Sequence, residues 1–257
     1  MGEKRIMSVF NNGIHFHGTW RPYQQRVLDE LATLGSDQKI HIVAAPGSGK
    51  TTLGLEIITR LGAPTLVAVP TITIEQQWAQ RFTEAFLSSG ESADAWVSTS
   101  LDHLKPLTIV TYQALYSAFS QESTQDSKPQ RKHAPSSALI ARLVQAGVST
   151  LCLDEAHHLR TQWWKALVSL RDELKAHSST QSRPTTLALT ADSTSTEWSR
   201  YIELCGDIDC EIFTPELVAD ATLCPIKTSS ISTTQPRRRA NKSPPSVRNL
   251  NQSSTVS

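Results

Sequence analysis

The sequence predicts an α/β domain in which a parallel sheet is covered by helices on both faces. Two observations carry this expectation. Short apolar runs alternate with segments of helical period along most of the chain. Strands that alternate with helices in this way build a parallel sheet covered on both faces. The two most distinctive stretches, "AAPGSGKT" (Ala44 to Thr51) and "LCLDEAHH" (Leu151 to His158), each close such a run. Ligands in sheets of this kind sit at the carboxyl ends of the strands.

The elements follow in order. "KIHIVAA" (Lys39 to Ala45) is a strand bounded by Pro46 and Gly47. "KTTLGLEIITRLG" places Leu53, Ile57, Ile58 and Leu61 at helical spacing, with Gly62 as its C-cap. "PTLVAV" is a strand and "IEQQWAQRFTEAFL" a helix. "LTIVTY" is the next strand, followed by a helix over Ala114 to Phe119. Residues 120–137, "SQESTQDSKPQRKHAPSS", are polar and contain proline, and read as a mobile loop. A helix over Leu139 to Ala146 leads into the strand of "VSTLCLDEAHH". "TQWWKALVSLRDELKAH" is a helix with Trp163, Trp164, Leu167, Leu170 and Leu174 along one side. "TTLALT" is the last strand of the series.

Bulk properties exclude several function classes. A net charge of +1 over 257 residues gives no global field that would recruit nucleic acid, so any such binding is local. Cys152, Cys205, Cys210 and Cys224 fit neither a disulfide framework nor a paired CxxC zinc site, so reduced thiols are expected. "MGEKRIMSVFNNG" lacks the apolar core of a signal peptide, and no run is long enough to span a bilayer. The expected location is the cytoplasm.

"AAPGSGKT" has the chemistry of a phosphate loop. Gly47 and Gly49 let the backbone curl so that N–H groups point inward, and the following helix adds its positive N-terminus. Pro46, Gly47, Ser48, Gly49, Lys50 and Thr51 are the candidate nucleotide-binding residues. Lys50 can reach the β- and γ-phosphates of ATP, and Thr51 can place its hydroxyl on Mg²⁺. The generic GxxxxGK[ST] pattern has glycine where this chain has Ala44.

The acid pair is the second motif. Two carboxylates at the end of an apolar strand are costly unless they hold a cation or work in a site. Asp154 is placed to hold Mg²⁺, and Glu155 to orient and activate an attacking water as general base. With Lys50 they form the candidate catalytic set. His157 and His158 are adjacent on a short loop with no HExxH helix, which argues against zinc. His15 and His17 read as surface residues alternating along a strand. On residue chemistry Pro70 can simply end a strand, and Thr111 and Tyr112 can be ordinary β-formers. Trp78 reads as core packing rather than as a base-stacking platform.

With these residues in view, the chain resembles the first RecA-like domain of superfamily 2 helicases, the DEAD/DEAH-box group in the broad sense. It looks closest to bacterial relatives of restriction-system helicase subunits. The resemblance runs over roughly residues 16–225. It implies a RecA-like P-loop NTPase fold, with ATP and Mg²⁺ as ligands. "WRPYQ" matches the segment before the phosphate loop, so Gln24 would read the adenine edge. "AAPGSGKT" is motif I in its helicase form, where Ala44 is ordinary. "VAVPTITIEQQWAQRF" resembles motif Ia and "IVTYQAL" the Ib region, which implies nucleic-acid contacts at Pro70, Thr71, Thr111 and Tyr112. "DEAH" is motif II and "LALTA" begins motif III, which implies coupling roles for His157, Thr190 and Ala191. DNA is the expected partner, with RNA as the other candidate. Motif III departs from the pattern, because "LTADSTSTEW" lacks the usual Thr-Pro-Pro.

"LCGDIDCEIFTPELVADATLCP" resembles the approach to a second RecA-like domain, which in the family carries an arginine finger. After Pro225 the chain turns polar, and residues 226–257 are expected to be disordered. Arg237, Arg238, Arg239 and Lys242 fit a basic arm for nucleic acid or a solvated run. One synonymous spelling of Ile226 to Gln235, read one base earlier, encodes His-Gln-Asp-Phe-Ile-Tyr-Phe-Asn-Tyr-Pro, which resembles the family's continuation. The expectation is therefore a frameshift near Pro225 and a truncated motor, weak or inactive alone. The alternative is a silent nucleotide- or nucleic-acid-binding module whose partner supplies the second domain.

Overall fold

The computed structural model describes residues 8–10, 14–33, 38–120, 135–178, 184–191 and 198–220. Most of the 120–137 loop, motif III beyond Ala191, Cys224 and the 226–257 tail lie outside the described residues. Among the described residues seven strands form one parallel sheet. They are β1 (Lys39–Ala44), β2 (Thr65–Val69), β3 (Val97–Ser98), β4 (Leu107–Thr111), β5 (Thr150–Asp154), β6 (Thr185–Thr190) and β7 (Cys210–Ile212). Their spatial order is β3-β4-β2-β5-β6-β1-β7. Eight α-helices accompany them among the described residues: α1 (Pro22–Thr33), α2 (Lys50–Leu61), α3 (Ile72–Phe86), α4 (Tyr112–Ser120), α5 (Ser137–Gln145), α6 (Thr161–His177), α7 (Trp198–Cys205) and α8 (Thr214–Ala219).

Alternation along each strand divides the core into two layers. Val67 and Val69 join Cys152, Leu187 and Leu189 on one face, beneath α1, α2 and α3. Leu66 and Ala68 join Leu151, Leu153 and Ala188 on the other, beneath α4, α5, α6 and α7. Helices on both faces explain why β2, β4 and β5 are buried at every position.

The structure differs from the sequence reading in instructive places. α1 was not foreseen. Its signals are present, with Pro22 at the first helical position and Tyr23, Val27 and Leu28 buried on one side. Its mostly polar composition hid them. The polar stretch before Leu139 ends in helix, because Ser136 caps α5 by accepting from the Leu139 N–H at 3.1 Å. His15 and His17 are exposed but lie in irregular backbone, not in a strand. The segment that resembles the approach to a second domain also completes this sheet. β7 pairs with β1, and α8 is tied to α1 by Arg26 Nη2 to Glu216 Oε1 at 2.9 Å. Cys152, Cys205 and Cys210 are buried free thiols. No helix among the described residues is long and apolar enough to cross a membrane.

α2 packs unusually close to the sheet at Gly54. A Cβ there would lie 2.6 Å from Leu189 Cδ1 and 3.0 Å from Trp78 Cη2. In an open helix interior Gly→Ala stabilises by about 0.5–1 kcal/mol. Here overpacking, at about 1–3 kcal/mol, outweighs that gain. Gly54→Ala should therefore lower the thermal melting midpoint, and a raised midpoint would show that Leu189 and Trp78 give way freely.

Candidate nucleotide site

β1 ends at Ala44, and the chain turns through Ala45–Gly49 before α2 begins. Gly47 (φ 83°) and Gly49 (φ 82°) occupy the left-handed region, which glycine enters without steric cost. Gly49 is constrained twice, since a Cβ would also lie 2.5 Å from Gln24 Nε2. Gln24, buried on α1, donates from that atom to Ser48 O at 2.9 Å. Its Oε1 accepts from the Arg21 N–H at 3.2 Å. The "WRPYQ" segment thus grips the loop itself. Pro46 and Gly47 are exposed, Lys50 and Thr51 half-buried, and Ser48 buried. Ser48 Oγ has no hydrogen-bond partner among the described residues.

The sheet brings the acid pair to this loop. β6 lies between β1 and β5, with Thr190 level with Val43 and Asp154 level with Leu189. Lys50 Nζ meets Glu155 Oε1 at 2.6 Å. Glu155 Oε2 lies 3.3 Å from His157 Nδ1, and that nitrogen is 2.8 Å from Thr190 Oγ1. A chain of polar contacts therefore runs from α2 through the acid motif to the end of β6. Glu155 has φ 51°, the only non-glycine positive φ among the described residues. Such backbone costs of order 1–3 kcal/mol and clusters at functional sites.

Asp154 is 4% exposed. Burial pushes its carboxyl above the usual range, and the neighbouring Glu155 charge adds to this. A hydrogen bond from Trp78 and the charge of Lys50 oppose the shift. Trp78 donates from Nε1 to Asp154 Oδ2 at 2.7 Å. Tyr112 donates its hydroxyl to Asp154 O at 2.8 Å.

The donor set fits a hydrated magnesium–phosphate ligand. Thr51 and Asp154 offer hard oxygens, the ligand type that Mg²⁺ takes. Ser48 Oγ is buried with no hydrogen bond among the described residues, so polar capacity remains beside the loop. A cation near Asp154 would offset the burial that now disfavours its charge.

Pro70 and Thr71 follow β2, and Thr111 ends the adjacent β4, level with Val69. Thr71 accepts from the Ile74 N–H at 3.3 Å and Thr111 from the Ala114 N–H at 3.1 Å, so each caps a helix. Tyr112 does not match the expected phosphate contact. Its side chain is 2% exposed, and its one donor is spent on Asp154. Trp78 is core, as its helical position suggests, but its bond to Asp154 spans 76 residues of sequence and had no local signal. Ala191 is half-buried at the end of β6.

Fold and loop together define a RecA-like P-loop domain. The chain belongs to the type III restriction enzyme res subunit family, whose family model matches residues 17–193. It is similar to the DNA 3′-5′ translocase XPB2 of Sulfurisphaera tokodaii, at 33% identity over 81 residues, 29% of this chain and 16% of that protein. It is also similar to a candidate DNA 3′-5′ helicase, Rad25, of Halobacterium salinarum, at 29% identity over 100 residues, 39% of this chain and 16% of that protein. The match thus spans about a sixth of each relative's length, at 16%. The Pyrococcus furiosus Hef helicase domain shares the fold, with a TM-score of 0.54 at 20% identity over 78% of this chain and 40% of that one.

Proposed function

We propose that this chain carries the ATP- and DNA-binding half of a superfamily 2 helicase or translocase acting in the cytoplasm. The observation that carries the reading is the 2.6 Å contact between Lys50 Nζ and Glu155 Oε1. It brings the phosphate-loop lysine and the acid-motif glutamate into one pocket, beside Asp154.

In this reading the triphosphate lies against the backbone N–H groups of Gly47–Thr51 and the N-terminus of α2. Lys50 leaves Glu155 to neutralise the β- and γ-phosphates. Thr51 and Asp154 hold Mg²⁺, which would offset phosphate charge when bound. Glu155, released from Lys50, orients and deprotonates the attacking water. His157 keeps Glu155 linked to Thr190, and through it to Ala191 and the motif III strand. Gln24 serves the adenine edge by exchanging one of its present contacts. Pro70, Thr71 and Thr111 stand where two helix N-termini offer N–H groups to a nucleic-acid backbone. The names of the similar proteins specify DNA, which supports DNA over RNA. A second RecA-like domain would complete such a motor and add an arginine finger, worth about 10³–10⁵ in rate.

The test is ATP binding with Mg²⁺, followed by phosphate release with duplex DNA, single-stranded DNA or RNA, against a Lys50→Ala control. Mg²⁺-dependent binding and DNA-stimulated release above that control are expected. Absence of binding overturns the reading, and binding without release under any nucleic acid favours a silent module.

A further inference from the structure

Asp154 closes β5 inside the protein, and two aromatic side chains from other elements reach it. Trp78 lies on α3 and is 0% exposed, and Tyr112 opens α4 and is 2% exposed. The indole N–H meets carboxylate oxygen Oδ2 at 2.7 Å, and the phenol meets the main-chain oxygen at 2.8 Å. An indole N–H only donates, so this bond favours an oxygen that accepts and fixes which way the carboxylate faces. Both aromatics are themselves immobilised. Gly54 leaves just enough room for the Trp78 ring, and Tyr112 stacks on Trp163 with centroids 5.8 Å apart.

Simple core packing does not account for this arrangement. A buried tryptophan needs a partner for its N–H, but any carbonyl would serve. Here the partner is the carboxylate of Asp154, buried at the carboxyl end of β5. Partners of metal-holding side chains set ligand orientation, and their loss commonly costs about 10–100-fold in metal affinity.

We propose that Trp78 is a positioning residue for the magnesium–nucleotide complex. Its indole N–H holds the Asp154 carboxylate in the orientation that meets the metal, while the Tyr112 hydroxyl holds the backbone beneath. The inference rests on the reading that Asp154 serves Mg²⁺.

The experiment compares binding of a fluorescent ATP analogue to the full chain in Mg²⁺ and in EDTA. Trp78→Phe keeps a ring in the core and removes the donor. Its affinity in EDTA should stay within about twofold of wild type, while the gain from Mg²⁺ should fall by about tenfold. Tyr112→Phe should show a smaller loss in the same ratio. Phe82→Leu is the control for packing. Phe82 is buried on the same helix against Phe10 and Phe86, and its substitution should lower the melting midpoint without moving the ratio. An unchanged ratio in Trp78→Phe, or an equal fall in Phe82→Leu, overturns the proposal. Should Trp78→Phe fail to fold, Tyr112→Phe decides, with an unchanged ratio counting against it. Asp154→Asn separates the two levels. If wild type shows no Mg²⁺ gain, or Asp154→Asn keeps it, the Mg²⁺ reading itself fails. If Asp154→Asn loses the gain and Trp78→Phe keeps it, only the role of Trp78 fails.

Discussion

Glu155→Gln should hold ATP at least as tightly as wild type while hydrolysing it about 10²- to 10⁴-fold more slowly. The two effects have separate causes. Hydrolysis falls because an amide cannot take the proton of the attacking water. Binding does not fall, because Lys50 is paired with Glu155 at 2.6 Å. Nucleotide must displace that pair before Lys50 can meet a phosphate, and the amide gives up its hold on Lys50 more readily than a carboxylate does. Glutamine also matches the size of glutamate, so the left-handed backbone at this position carries no new strain. Fluorescent-nucleotide titration and single-turnover phosphate release read the two effects independently. Weaker nucleotide binding in Glu155→Gln would show that the carboxylate helps to hold the ligand rather than competing for Lys50.

Lys50→Ala should abolish measurable nucleotide binding and also destabilise the fold. The first effect follows from losing the cation that faces the phosphates. The second follows from burial. The Lys50 and Glu155 side chains are 10% and 22% exposed, so removing the lysine leaves a carboxylate in a poorly solvated place. Losing the partner of a buried polar group costs about 1–3 kcal/mol. His157, 3.3 Å from the other oxygen, offsets part of this when protonated. Adding Glu155→Gln to Lys50→Ala should restore part of the melting midpoint and none of the nucleotide binding. A double variant no more stable than Lys50→Ala would place the lysine's contribution in its aliphatic stem instead.

The parts of the fold that were legible in the sequence are those with strong local signals. β1, β2, β4, β5 and β6 are short runs built around apolar residues, and α2, α3 and α6 carry helical spacing over at least three turns. The phosphate loop and the acid motif were legible for another reason, since their chemistry demands particular residues in a short span. What escaped was either too short or too distant. β3 has two residues and β7 three, too few to show a period, and both are edge strands held by a neighbour. α1 is largely polar because its outer face is solvated. The bonds Trp78–Asp154, Tyr112–Asp154 and Gln24–Ser48 join residues far apart in the chain, and nothing local to either partner announces them. Tyr112 shows the cost most plainly. The resemblance of its segment to the Ib region implied a phosphate contact, and only the packed structure turns its ring inward.

The order of strands also bears on how this protein is made. β1, which carries the phosphate loop, pairs only with β6 and β7. During synthesis Lys39 therefore emerges long before Thr186, which lies level with it on β6, exists. β2 and β4 meet much earlier, and β5 joins them next. The nascent chain can assemble that half of the sheet while the nucleotide strand waits with both edges bare, and such long-range parallel pairing is slow. ATP therefore has no partly built pocket to recognise. Nucleotide would bind only once β6 and β7 have closed around β1, so its capture would report that this sheet is complete at the loop.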